Sequence, residues 1–78
     1  MILHVESRIG QHGDPEPLRF LLGEATLEVL EIIDRWISDT CSYFKLTASD
    51  SGLYILRYTP ARREWELSLY QAPRPDAR

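Results

Sequence analysis

Hydrophobic side chains recur at every second position in the second half of the chain, which is the spacing of a β-strand with one buried face. The alternating residues form three runs: Phe44, Leu46 and Ala48; Tyr54, Leu56 and Tyr58; and Trp65, Leu67 and Leu69. Turn-forming residues separate the runs. Ser49-Asp50-Ser51-Gly52 suits a type I turn closed by a left-handed Gly52, and Thr59-Pro60-Ala61-Arg62 suits a type I turn with proline second. The pattern predicts a meander of three antiparallel strands.

The register of this meander follows from the requirement that the large apolar groups share one face. Between the first two strands, pairing Ser49 with Leu53 predicts the pairs Phe44–Tyr58, Leu46–Leu56 and Ala48–Tyr54. Between the last two strands, pairing Thr59 with Glu64 predicts the pairs Tyr58–Trp65, Leu56–Leu67, Tyr54–Leu69 and, on the outer face, Arg57–Glu66.

The ends of the chain differ in character from this meander. Leu3, Val5 and Ile9 alternate with polar side chains, which predicts an N-terminal strand. Residues 10–17 hold two glycines, two prolines and no apolar side chain, so we predict a solvated loop there. Residues 71–78 are rich in proline and arginine and predict a flexible tail. The compact domain is therefore expected over residues 1–70.

The middle of the chain, residues 24–38, fits two structures. A helical period puts charged and polar residues on one stripe and Leu27, Leu30, Ile33 and Ile37 on the opposite one, although no capping residue precedes Glu24 and β-branched residues are numerous. A strand fits as well, because a two-residue turn at Gly23-Glu24 would pair Leu22 with Ala25, Phe20 with Leu27, Arg19 with Glu28 and Leu18 with Val29. A bulge near Leu30 and Glu31 would then keep Glu31 out of the core.

These patterns predict a mainly β fold, a small barrel or strongly bent antiparallel sheet of about six strands. The alternative is an α+β fold, ββαβββ, with a helix over residues 24–38.

Length and composition narrow the function classes. The chain has 78 residues, and 12 acidic against 9 basic side chains give a net charge of −3. A chain of this length has room for one modest core, which excludes a two-domain enzyme. The single cysteine, Cys41, cannot form an intramolecular disulfide and indicates a reducing, cytoplasmic setting. The apolar runs are too short to span a membrane, so we expect no membrane partner.

Five segments of the chain together resemble a family of small bacterial domains. They are Pro17–Gly23, Val29–Trp36, Tyr43–Leu46, Gly52–Arg57 and Glu64–Leu67. Members of that family share a core segment of the Val/Glu/Asp-Arg-Trp type and a C-terminal aromatic hairpin. The resemblance covers residues 17–70 and implies a compact, mainly β cytoplasmic domain with no established activity. It also implies a link to DNA repair or replication, because some relatives are encoded beside translesion-polymerase-like proteins.

Side chains suited to catalysis or metal binding are few. His4 lies on the polar face of a predicted strand, His12 lies in a loop, and neither is placed beside Cys41 as a nucleophile needs. His12, Asp14 and Glu16 lack the spacing of zinc or calcium sites. No glycine-rich phosphate loop is present. We therefore expect no enzymatic activity, no cofactor and no metal.

One candidate binding surface is a basic rim made by Lys45, Arg57, Arg62 and Arg63. These cations lie near tyrosines in the sequence, the combination that single-strand binders use to stack bases and follow the phosphate backbone. The rim makes weak binding of single-stranded nucleic acid the alternative function.

The second candidate is a partner anchor formed by Arg35 and Trp36, because Arg and Trp are enriched at interaction hot spots. The competing interpretation is that Trp36 fills the core and Arg35 ties down a loop. With no catalytic set, and with Leu21, Leu53 and Ile55 expected on outer faces, the sequence favours a non-catalytic protein-interaction module. Its protein partner is unknown, and an exposed edge strand would allow a homodimer as well as a monomer.

Overall fold

The structure is a computed structural model that describes residues 2–10 and 13–71. Six antiparallel strands close into a barrel in sequence order, and no helix occurs in those residues. The strands are β1 (Ile2–Ile9), β2 (Pro15–Leu22), β3 (Ala25–Ile37), β4 (Ser42–Ala48), β5 (Leu53–Thr59) and β6 (Glu64–Gln71). The prediction of a mainly β barrel is confirmed, and the α+β alternative with a helix over residues 24–38 is wrong.

The long strand β3 takes part in two ladders. Its first residues pair with β2 across the turn at Gly23, whose φ of 61° is the left-handed conformation that the first position of this turn needs. From Val29 onward, β3 pairs with β4 instead. The predicted pairs Leu22–Ala25, Phe20–Leu27 and Arg19–Glu28 are confirmed, but the β2–β3 ladder ends before Leu18 and Val29 pair. The two halves of β3 thus pair with different neighbouring strands.

The core lies inside the barrel and is aromatic. The Tyr54 ring meets Phe20 edge to face at 5.1 Å between centroids, and the Trp65 ring lies 5.5 Å from Phe44 and 4.8 Å from Tyr58. The buried apolar residues are Leu3, Phe20, Leu27, Phe44, Leu46, Ala48, Tyr54, Leu56 and Trp65. These inclined arrangements bring the edge of one ring against the face of another, which is a preferred geometry for aromatic pairs.

The predicted β4–β5 register is wrong by two residues. The structure pairs Phe44 with Leu56 and Leu46 with Tyr54, because the connecting turn lies one residue earlier than predicted and Ser51, not Gly52, adopts the left-handed conformation (φ 68°). A shift of two residues keeps every side chain on its predicted face, since side chains alternate with period two. Five of the six predicted core residues of both strands are therefore buried all the same, and Tyr58 is partly buried against the core.

The β5–β6 register is confirmed up to Leu67 and wrong beyond it. Leu56 pairs with Leu67, as predicted, but a bulge at Ser68 then sets Ile55 opposite Leu69. The extra residue turns Leu69 to the outer face, so the predicted pair of Tyr54 with Leu69 does not form. The turn between these strands is confirmed by the Arg62 N–H, which donates to the Thr59 carbonyl oxygen at 3.2 Å.

The predicted polar loop is shorter than expected, because β2 already begins at Pro15. Pro15 and Pro17 pair with Ile9 and Ser7 of β1, so the N-terminal hairpin takes in part of the proline-rich segment. Residues 11–12 of the predicted loop lie outside the described residues. So do residues 72–78 of the predicted tail, whose first residue, Gln71, belongs to β6.

Candidate functional site

Exposed apolar side chains are concentrated on β3. They are Leu30, Ile33, Trp36 and Ile37, and their exposed fractions are 65%, 48%, 41% and 72%. We call these four residues the β3 strip. Four of the nine large exposed apolar side chains of the described residues thus belong to one strand. Several exposed apolar side chains on one strand are typical of an interaction site, whereas single exposed apolar residues are ordinary.

Two β-bulges place the first half of the strip outside the barrel. The β3–β4 register shifts at Leu30 and again at Ile33, so each of these residues lacks a partner on β4. Ile32, between them, lies opposite buried Leu46 and packs against the core. An extra residue in a strand changes the direction in which its side chain points. The bulges therefore expose Leu30 and Ile33 on either side of Ile32, which is partly buried.

The edge of β3 that carries the strip is unpaired. From Val29 to Ile37 the strand pairs with β4 on one side, and no strand of the described residues pairs with the other side. On β2, the facing segment contains Pro15 and Pro17, which have no backbone N–H and are confined in sheets to edges and bulges. Along this edge, the backbone N–H and C=O groups that face β2 have no strand partner within the described residues.

Within the described residues, a single ion pair joins β2 to this part of β3. Arg35 Nη1 donates to Glu16 Oε2 at 2.5 Å, and the Arg35 guanidinium carbon lies 5.0 Å from the centre of the Phe44 ring. Both contacts lie within the domain. They therefore favour a structural role for Arg35 over the predicted role of contacting a partner. Of the two predicted anchor residues, Trp36 is the one with an open apolar surface.

A row of outward side chains crosses four strands in register, from Trp36 through Tyr43 and Arg57 to Glu66. The Trp36 and Tyr43 rings are stacked, with centroids 5.3 Å apart and planes 6° from parallel. Arg57 Nε donates to Glu66 Oε1 at 3.0 Å. This hydrogen bond raises the pKa of Arg57, to which a contact with Tyr43 adds, and it lowers the pKa of Glu66. The structure therefore brings Trp36 close to one member of the predicted basic rim.

The predicted rim is divided and partly neutralised. Lys45 lies on β4 opposite Asp34, and Arg57 is held by Glu66. Arg62 and Arg63 lie in the turn between β5 and β6, where Arg62 Nη1 is 3.9 Å from a Glu64 oxygen. Lys45 forms no ion pair with a described residue, whereas Arg57 and Arg62 each have a carboxylate neighbour. Such neutralisation reduces the attraction for phosphate that a basic rim would otherwise have.

Groups with chemical reactivity are sparse in the described residues. The Cys41 sulfur lies 3.4 Å from the Thr59 hydroxyl, and this hydrogen bond lowers the pKa of the thiol. No group of three or more His, Cys, Asp or Glu side chains is placed to hold a metal in the part of the chain that the structure describes. Among the same residues, no helix has the length and apolar character needed to cross a membrane.

A cleft of about 330 Å³ lies at the end of the β3 strip. Its wall includes the apolar side chains of Ile37 and Phe44, and its charged groups are Arg35 and Asp14. Clefts lined mainly by apolar side chains with few polar groups are the usual form of a binding pocket. This one has room for an apolar side chain of a partner.

Sequence reasoning missed Leu30, Ile33 and Ile37 as functional residues, because their helical spacing assigned them to an apolar, inward-facing stripe. The signal that identifies Leu30 is the bulge, which the alternation of β3 required near that residue and which the structure contains. Alternation alone does not show that a second bulge follows at Ile33.

A scan against protein-family models, a search of curated proteins and a search of solved structures each find no match to the chain. The resemblance to small bacterial domains therefore stays a prediction.

Proposed function

We propose that this domain is a non-catalytic protein-interaction module of the bacterial cytoplasm and that the β3 strip is its contact surface. The observation that carries the proposal is the concentration of exposed apolar side chains on one unpaired strand edge. The lone cysteine supports the cytoplasmic setting, since disulfides are rare there.

The chemistry of the strip is that of an interface centre. Trp36 is pre-ordered by its stack on Tyr43, so little side-chain entropy is lost when a partner covers its free face. Leu30 and Ile33 continue the exposed apolar surface along the same strand, and water would leave this surface on binding. Aromatic anchors surrounded by apolar contacts are the usual source of binding free energy in protein interfaces.

The proposal is tested with two matched variants, Ile33→Lys and Leu69→Lys. The two native side chains are 48% and 46% exposed, and both lie on outer faces of the barrel, on β3 and on β6. Both variants add the same charge and should remain folded, because substitutions at exposed positions usually change stability by less than about 0.5 kcal/mol. Each chain is immobilised and exposed to a lysate of its source organism.

We expect the unaltered chain and Leu69→Lys to retain the same protein, and Ile33→Lys to lose it. Capture that is unchanged by Ile33→Lys would refute the β3 strip as the contact surface. Capture of nothing by any of the three chains would count against an interaction module altogether.

A second candidate function is weak binding of single-stranded nucleic acid. The stacked Trp36–Tyr43 pair favours it, because an outward aromatic surface beside Arg57 is able to stack a base. Titration with a short oligothymidine, followed by amide NMR, tests this function. It predicts shifts at Tyr43, Lys45 and Arg57 that disappear as salt is added. Shifts that are absent at low salt would eliminate it.

A further inference from the structure

The open edge of β3 has the length of an ordinary β-strand. It runs from Leu30 to Ile37, eight residues in which the strand pairs on one side only within the described residues. We propose that this edge is completed by strand addition: an extended segment of a partner protein, with basic side chains among apolar ones, pairs along it. The proposal rests on the proposed interaction function and names the class of partner.

Backbone pairing explains why the strip lies on an edge and not in the middle of a sheet. In strand addition, main-chain hydrogen bonds supply affinity and pockets for alternate side chains supply specificity. Here the edge of β3 would supply the main-chain hydrogen bonds, and the cleft of about 330 Å³ beside Ile37 and Phe44 would supply a side-chain pocket. Arg35, held by Glu16, keeps β2 joined to β3 next to that cleft.

The charges on this part of β3 select a basic partner. Glu31 and Asp34 both lie on the open stretch, and neither forms an ion pair with another described residue. Asp14 adds a third carboxylate at the cleft. The single cation of the stretch, Arg35, is already bound to Glu16. Lysine or arginine side chains on the incoming segment would therefore meet unpaired carboxylates.

The same charges disfavour two other occupants. A second copy of this chain, added through its own β3, would bring two further carboxylates to the shared edge and no free cation. The phosphates of a nucleic acid would face Glu31 and Asp34 directly. Like charges brought together at an interface suppress such partners.

The experiment uses the full chain and three peptides, each as long as the open stretch. The first alternates lysine and valine, the second replaces each lysine by glutamate, and the third is the lysine peptide with alternate backbone nitrogens methylated. N-methylation removes the donors that pair with a strand edge and leaves the side chains in place. Binding is followed by the amide NMR shifts of the chain.

We expect the lysine–valine peptide to shift the amides of Leu30–Ile37 and the glutamate and methylated peptides to bind at least about tenfold more weakly. Ile33→Lys should weaken the lysine peptide by at least about tenfold, while Leu69→Lys changes its affinity by less than about twofold. The paired variant Glu31→Gln with Asp34→Asn should weaken binding and reduce its dependence on salt.

Several results would overturn strand addition. Equal binding of the methylated and unmethylated peptides would show side-chain docking without backbone pairing. Self-association by sedimentation, with β3 shifts on dilution, would assign the edge to a second copy. No shift at about 1 mM lysine peptide would exclude the proposed partner class. In each case, loss of lysate capture with Ile33→Lys alone would leave the interaction function standing, whereas unchanged capture would remove both.

Discussion

The ion pair between Arg35 and Glu16 should make a measurable contribution to stability, because it joins β2 to the part of β3 where their ladder is missing. Three variants isolate it: Arg35→Met, Glu16→Gln and the two combined. Methionine keeps an unbranched apolar stem over Phe44 and removes the charge. Glutamine keeps the shape of Glu16 and removes its charge.

The magnitude follows from the contacts. The Glu16 side chain is only 17% exposed, and its hydrogen bond with Arg35 measures 2.5 Å. A hydrogen bond to a charged group contributes about 1.5–3 kcal/mol, and partial exposure of Arg35 places this one near the lower end. Loss of the contact of the guanidinium with Phe44 adds about 0.5–1 kcal/mol. We expect Arg35→Met to lower the free energy of unfolding by about 2–3 kcal/mol and Glu16→Gln by about 1–2 kcal/mol.

Urea unfolding at neutral pH measures all four chains, and the double-mutant cycle gives the coupling of the two side chains. We expect a coupling of about 1 kcal/mol and, for Arg35→Met, a midpoint of thermal unfolding lower by roughly 4–8 °C for each kcal/mol lost. A coupling under about 0.3 kcal/mol would refute the reasoning, since it would make the pair an ordinary solvent-screened surface contact.

Three further predictions concern the turn at Gly52 and the outer face. Tyr54→Phe, which removes the 2.5 Å hydrogen bond to Asp50, should cost about 1–2 kcal/mol in urea unfolding. Burial, and then this bond, raise the pKa of Tyr54, so its contribution is complete below about pH 10 and is lost at higher pH. Gly52→Ala, whose Cβ would lie 3.0 Å from a Tyr54 ring carbon, should cost about 1–3 kcal/mol by the same assay. Arg57 lowers the pKa of Glu66, so the stability advantage over Arg57→Met should shrink as pH falls below about 4.

Much of the sheet was predictable because side-chain alternation is a local property of the strand. The faces of β4 and β5 are as predicted even though their register is not, since an even shift leaves each side chain on its face. The turn could not be predicted to the residue. We expected Gly52 to be the left-handed residue of the turn, but Ser51 takes that conformation. Gly52 instead lies where the Tyr54 and Tyr70 rings approach the backbone too closely for a side chain.

The candidate site was predictable only in part. Trp36 was identified from its residue type, and the structure places it on the outer face. Its sequence neighbour Arg35 forms an ion pair with Glu16 of β2, a contact that could not be predicted from the spacing of the two residues in the sequence. Lys45 and Arg57 reach one face, while Arg62 and Arg63 lie in a turn. Which cations have acidic neighbours depends on strand order and register.

Period-two alternation and turn residues are local features, so they are enough to predict a single β-sheet domain around an aromatic core. How residues 25–37 fold depends on tertiary contacts, since their spacing fits a helix face as well as a strand. Two bulges three residues apart, at Leu30 and Ile33, make the apolar positions of a strand recur with a helix-like spacing. Pairing with β2 and then with β4 selects the strand, and the bulges that this pairing requires turn those side chains outward.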